Sequence, residues 1–127
     1  DVCDAPALLG RGAFTAAVMN PPYFTSGDEG ESPNRCSARH GAADTLGAFL
    51  GAAFSLLKNG GRLFLIYPAD ALTTLLAALR AARLEPKRMR LVYAKAGERA
   101  LRVLIEAKKH GKAGLTVEPP AYAEEMG

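Results

Sequence analysis

The chain has 127 residues, 49% of them hydrophobic, with a net charge of +3 and two cysteines. That length suits one domain, and that apolar content suits a packed core and excludes a disordered tail. No apolar run reaches the length of a membrane span and the amino terminus lacks the features of a signal peptide, so a cytoplasmic protein without membrane attachment is expected. Cys3 and Cys36 lie far apart, with no CxxC and only two histidines, so they are read as free thiols and no metal site is expected.

Asp1 to Asp4 reads as the end of an element already under way, and Pro6 to Gly12 as a turn or loop. Phe14 to Met19 is too short for a helix and uniformly apolar, which fits a strand buried on both faces. Asn20-Pro21-Pro22-Tyr23-Phe24 follows at once. Each proline fixes φ near −65°, lacks an N–H and disfavours the helical region for the residue before it, so Asn20 is expected to be held extended at the strand end. A stiff loop offering an amide, accessible carbonyls and an aromatic ring suits a planar group with an exocyclic amine. The same residues also suit a plain Asn-Pro turn that ends a strand.

Residues 25–37, rich in Gly, Ser, Asp and Glu at their start, have no periodicity and are expected to form a mobile loop that orders over substrate. From Ala43 a helix is expected, because Leu46, Phe49, Leu50, Ala53, Phe54 and Leu57 recur at three-and-four spacing, with Asn59-Gly60-Gly61 ending it. Arg62 to Tyr67 reads as a second apolar strand stopped by Pro68. A second helix follows, with Asp70 near its start, Leu72, Leu75, Leu76, Leu79 and Arg83 on one stripe, and Leu84-Glu85-Pro86 closing it.

Lys87 to Lys95 and Leu101 to Lys108 read as the last two main strands. In the second, Leu101, Val103, Ile105 and Ala107 alternate with Arg102, Leu104 and Glu106, as in a strand with one wetter face. Leu115 to Glu118 is a candidate short strand, and residues 119–127 a loose tail. The order strand, helix, strand, helix, strand, strand implies an α/β domain with parallel crossovers and an antiparallel final pair. Between Arg80 and Lys112, eleven basic residues stand against three acidic ones, a local net of +8. Such a stretch is either a phosphate-binding surface or an ordinary solvated face.

Read together, Asn20-Pro21-Pro22-Tyr23 at a strand end, Ala38-Arg39-His40, Leu57-Lys58-Asn59-Gly60-Gly61-Arg62-Leu63 and Leu84-Glu85-Pro86-Lys87-Arg88 resemble the Rossmann-like S-adenosylmethionine-dependent methyltransferases. Within that class the resemblance is to bacterial adenine-N6 tRNA methyltransferases acting on a tRNA(Val). It implies the carboxyl-terminal half of the sheet, strands four to seven with the last antiparallel and helices mainly on one face. It also implies that Asn20, Pro21, Pro22 and Tyr23 are catalytic, with Phe24, Arg39, His40, Lys87, Arg88 and Lys95 on substrate RNA and Asp1 and Asn20 toward S-adenosylmethionine.

The Asn-Pro-Pro-Tyr motif is shared with N5-glutamine and ribosomal guanine-N2 methyltransferases, and these stay open beside tRNA, as does a non-catalytic RNA-binding module. The family's glycine-rich cofactor loop is not found here, since Gly10-Arg11-Gly12 lacks a third glycine and a preceding strand. The expectation is an incomplete catalytic half, inactive alone, that self-associates through a bare strand edge or sheet face.

Overall fold

The computed structural model describes residues 12–21 and 42–123. Among them are six strands, two α-helices and a 3₁₀ turn: β1 (Phe14–Met19), α1 (Ala42–Leu56), β2 (Leu57–Pro68), the turn Ala69–Ala71, α2 (Leu72–Ala81), β3 (Leu84–Tyr93), β4 (Ala100–Lys109), β5 (Thr116–Val117) and β6 (Ala121–Tyr122). The main strands lie in the order β1-β2-β4-β3, with β5 and β6 both on the outer side of β3. β1 is parallel to β2, whereas β4 is antiparallel to both β2 and β3. The expected order and the antiparallel final pair are therefore present. β4 folds back from β3 and takes the place between β2 and β3.

The core lies on one sheet face. Leu46, Leu50 and Ala53 of α1 and Leu75 and Leu79 of α2 join Leu63, Leu65 and Tyr67 of β2, Leu84 and Met89 of β3 and Val103, Ile105 and Ala107 of β4 in one buried cluster. Both periodicities explain this. The helices bury residues three and four apart, and the strands bury every second residue.

Several elements differ from expectation. α1 stops at Leu56, and Leu57 to Gly61 already belong to β2. The entry to that strand is irregular, because Phe14 sits opposite Leu57 but Ala16 opposite Arg62. The two glycines allow it. Gly60 has φ +80°, and a Cβ on Gly61 would stand 2.8 Å from the Lys58 carbonyl oxygen. Arg83 leaves the α2 stripe and takes φ 63° as the residue that turns the chain into β3, so Leu84 opens a strand and does not close a helix. Ala121 and Tyr122 pair with Val92 and Tyr93, so the start of the supposed loose tail is a strand.

β1 also departs from its expected burial on both faces: Ala17 and Met19 are partly buried, while Val18 is 84% exposed. No described element covers its outer side. The same open face continues through Phe64, Ile66, Leu104 and Glu106 as a shallow groove of about 450 Å³. None of the described helices is long and apolar enough to cross a membrane.

Candidate active-site edge

The parallel strands β1, β2 and β3 end at one edge of the sheet, and that edge gathers the chemistry-bearing residues. Asn20 is the first residue past β1 and is exposed, while the next residue, Pro21, is buried. A buried ring behind an exposed amide holds the backbone of Asn20 in place while its side chain meets solvent. Met19 pairs with Leu65, so the amide stands one residue beyond a continuous ladder.

At the same edge β2 ends at Pro68 (φ −60°, ψ 137°), and the turn Ala69–Ala71 carries the exposed Asp70. Pro68 pairs with Arg102, which brings the start of β4 to this edge as well. The β3–β4 connection, residues 94–99, contains Lys95 and Arg99, both exposed. Tyr93, at the end of β3, lies beside Tyr122 with ring centroids 5.8 Å apart and planes at 37°. Tyr67 is only 2% exposed and belongs to the core.

The basic stretch is not one surface. Lys87 donates to the Lys112 carbonyl oxygen at 2.6 Å and Arg90 to that of Pro119 at 2.7 Å. Arg88 meets Glu106 at 2.9 Å and Glu118 at 3.6 Å, and Glu106 also pairs with Arg62. Lys87 and Arg88, expected on substrate, are thus engaged with the chain itself, and both precede the Asn20 edge along β3. Of Lys87, Arg88 and Lys95, only Lys95, in the β3–β4 connection, lies at that edge, where it meets Glu98 at 3.8 Å. Lys109 is 8% exposed and donates to the carbonyl oxygens of Phe54 and Leu57 at 2.7 and 2.6 Å, with the Phe54 ring centroid 4.1 Å away. It serves as a cap for the end of α1, whose last turn has no basic residue of its own.

Asp1, Pro22, Tyr23, Phe24, Arg39 and His40 lie outside the described residues, as do residues 25–37, both cysteines and residues 124–127 of the tail. Sequence reasoning missed the pairing of Tyr122 with Tyr93, since two residues after a Pro-Pro give no periodic signal. It also missed the buried lysine, although Lys109 continues the Val103, Ile105, Ala107 alternation and that parity pointed inward.

For S-adenosylmethionine the described residues fit the acceptor side only. Asn20 is exposed at the carboxyl end of β1, and the described glycines serve other ends. Gly12 donates to the Ser55 carbonyl oxygen at 2.7 Å, Gly61 packs on Lys58 and Leu57, and Gly97, at φ +89°, turns the β3–β4 connection. No GxGxxG run occurs among the described residues.

Comparison with known proteins gives the family of the chain. A family described as Eco57I restriction-modification methylase matches residues 4–98. The chain is 32% identical over 124 residues to a tRNA1(Val) (adenine(37)-N6)-methyltransferase of Actinobacillus succinogenes, covering 98% of this chain and 51% of that protein. It is likewise 32% identical over 108 residues to the enzyme of that name from Porphyromonas gingivalis, covering 84% and 42%. The chain spans about half the length of the curated relatives it matches. Among solved structures, a predicted O-methyltransferase of Agrobacterium tumefaciens superposes with a TM-score of 0.71 at 24% identity, covering 96% of this chain and 51% of that one. A protein of Thermus thermophilus assigned as a DNA modification methylase, in complex with S-adenosyl-L-methionine, gives 0.64 at 16% identity, covering 89% and 52%. These structures show the α/β methyltransferase fold. With three quarters of its length matched by the family, the chain belongs to the Eco57I restriction-modification methylases.

Proposed function

We propose that the full-length protein containing this chain is an S-adenosylmethionine-dependent methyltransferase that modifies the exocyclic amine of adenine in tRNA, and that this chain supplies the acceptor side of the site. The observation that carries the reading is the exposed Asn20 on a buried Pro21 at the carboxyl end of β1, in a chain similar along nearly its whole length to adenine-N6 tRNA methyltransferases. S-adenosylmethionine supplies an electrophilic methyl group when bound. Everything further concerns what these residues do to the amine.

An adenine amine is a weak nucleophile because its lone pair is delocalised into the ring. The Asn20 side-chain oxygen and the Pro21 carbonyl oxygen each accept one N–H, which localises that lone pair and fixes its direction. Pro22 stiffens the loop, Tyr23 stacks on a base turned out of its helix, and Phe24 walls the pocket. Arg39, His40 and Lys95 hold substrate phosphates. In this reading Lys87 and Arg88 have a smaller part than their charge suggests, because both already have partners in the chain. Asp1 faces the cofactor's adenine.

The isolated 127-residue chain is proposed to bind the cofactor weakly or not at all and to self-associate through β1 or the open face. A monomeric mass by light scattering at micromolar concentration overturns the second point, and tight binding of S-adenosylmethionine by calorimetry overturns the first.

The test of the main reading is mass spectrometry of nucleosides from tRNA, ribosomal RNA and DNA of cells lacking the full gene. Loss of N6-methyladenosine from tRNA alone supports it. Loss confined to DNA or to ribosomal guanine, or nucleosides unchanged in all three, overturns the substrate assignment. In the full-length enzyme Asn20→Ala is expected to lower kcat by about a hundredfold or more with RNA affinity little changed. Equal loss in both removes the role given to Asn20.

A further inference from the structure

Three observations at the carboxyl edge of the sheet are not used by the acceptor chemistry. The first is the pair of adjacent rings of Tyr93 and Tyr122, both residues half-buried. The second is the charge of the adjoining β3–β4 connection and the start of β4, where Lys95, Arg99 and Arg102 are exposed and Glu98 is the one acid among residues 94–102. The third is that Leu101, between two of these cations, is 48% exposed.

The tyrosine pair is not required to fasten the carboxyl-terminal segment to the sheet. That segment is already held by Lys87 on the Lys112 carbonyl, by the Glu118 N–H on the Met89 carbonyl at 2.8 Å and by Arg90 on the Pro119 carbonyl. Nor are the cations of residues 94–102 spent as those of β3 are. Lys95 has a single long contact with Glu98, both more than half exposed, which is worth little in water. Arg102 donates to the carbonyl oxygen of its neighbour Leu101, and no carboxylate among the described residues pairs with it.

Aromatic rings beside uncompensated Lys and Arg are what a sequence-tolerant single-stranded nucleic-acid site needs. Bases stack on the rings and phosphates meet the cations. The position fits as well. Met19 is in register with Leu65, Ile105 and Met89 across the sheet, so β3 lies three strand spacings, about 14 Å, from β1. Tyr93 stands a further step along its strand, about 10 Å beyond the level of Asn20. A few nucleotides span that gap.

We infer that Tyr93 and Tyr122, with Lys95, Arg99 and Arg102, form a stacking and phosphate-binding platform for single-stranded RNA flanking the nucleotide presented to Asn20. The identity of that nucleotide rests on the function proposed above. The platform itself does not.

The test measures binding of a labelled, short single-stranded oligoribonucleotide to the 127-residue chain by fluorescence anisotropy, as a function of salt. Tyr93→Ala and Tyr122→Ala are each expected to weaken binding about tenfold, with the Phe variants close to the parent, since stacking needs the ring and not the hydroxyl. Lys95→Ala with Arg99→Ala is expected to flatten the plot of log affinity against log salt by about 1.4, the value for two phosphate contacts on a single strand. Absence of binding by the parent chain overturns the platform. So do Tyr→Ala variants that melt at the parent's temperature and bind as the parent does. If those variants do not fold, the exposed charge variants decide, and an unchanged salt slope overturns the inference. Nucleoside analysis in which tRNA N6-methyladenosine is unchanged in cells lacking the gene removes the function proposed above and leaves the oligoribonucleotide result standing.

Discussion

The two faces of the sheet are built from the same strands and hold the molecule together by different means. On the helix side Leu63, Leu65, Val103, Ile105 and Ala107 sit under Leu46, Leu50, Leu75 and Leu79, nearly all of them without solvent contact. On the other side Val18 and the half-buried Phe64, Ile66 and Leu104 border an ionic chain that runs from Arg62 through Glu106 and Arg88 to Glu118. The difference teaches that burial on one face is sufficient to order the strands, and that the other face is free to carry charge.

Several substitutions break or sharpen that contrast. The largest effect is expected from Leu75→Ala, which opens a cavity in the buried cluster and should cost about 2–5 kcal/mol in urea unfolding. Val18→Ala on the open face is expected to stay within about 0.5 kcal/mol at concentrations where the chain is monomeric. Comparable losses at both positions would mean that the open face is covered in solution. Lys109→Met is expected to cost about 2–3 kcal/mol, because it withdraws two charged hydrogen bonds from the carbonyls ending α1. The helical circular dichroism signal should fall with it.

Smaller effects lie on the charged face. Glu106→Gln removes the hub between Arg62 and Arg88, whose own side chains are 43% and 59% exposed, so the loss is expected at about 1 kcal/mol. One molar salt should reduce the difference between variant and parent if the hub acts through charge. The smallest effect has the opposite sign. Arg83 holds φ 63° at the turn from α2 into β3, where its carbonyl accepts from the His110 N–H at 3.1 Å. Arg83→Gly is expected to raise stability by about 0.5–1 kcal/mol, measured as a higher melting temperature, since glycine takes that conformation without steric cost.

The alternation of elements was legible because its signals are local. Leu72, Leu75, Leu76 and Leu79 show a helical period, Val103, Ile105 and Ala107 show a period of two, and Pro68 marks the end of a strand. The apolar run before Asn20-Pro21 marked the strand that presents the candidate site. The boundary of α1 was misread because glycine pairs commonly end helices, whereas Gly60 and Gly61 shape the irregular entry to β2. Arg83 was assigned to the α2 stripe because a residue three or four past Leu79 continues the pattern until the backbone turns.

What the sequence determined by itself is therefore the set of elements and the end of β1 before Asn20-Pro21, since periodicity and proline geometry act over a few residues. Only the tertiary structure decided which strands are neighbours, because β4 reaches its place between β2 and β3 by pairing with residues some forty positions earlier in the chain. The same long-range pairing divided the basic stretch. It drew Lys109 into the core, tied Lys87, Arg88 and Arg90 to the chain's own oxygens, and left Lys95, Arg99 and Arg102 at the edge where Asn20 stands. A count of charges is blind to that division, since it depends on which face and which end of a strand each side chain occupies.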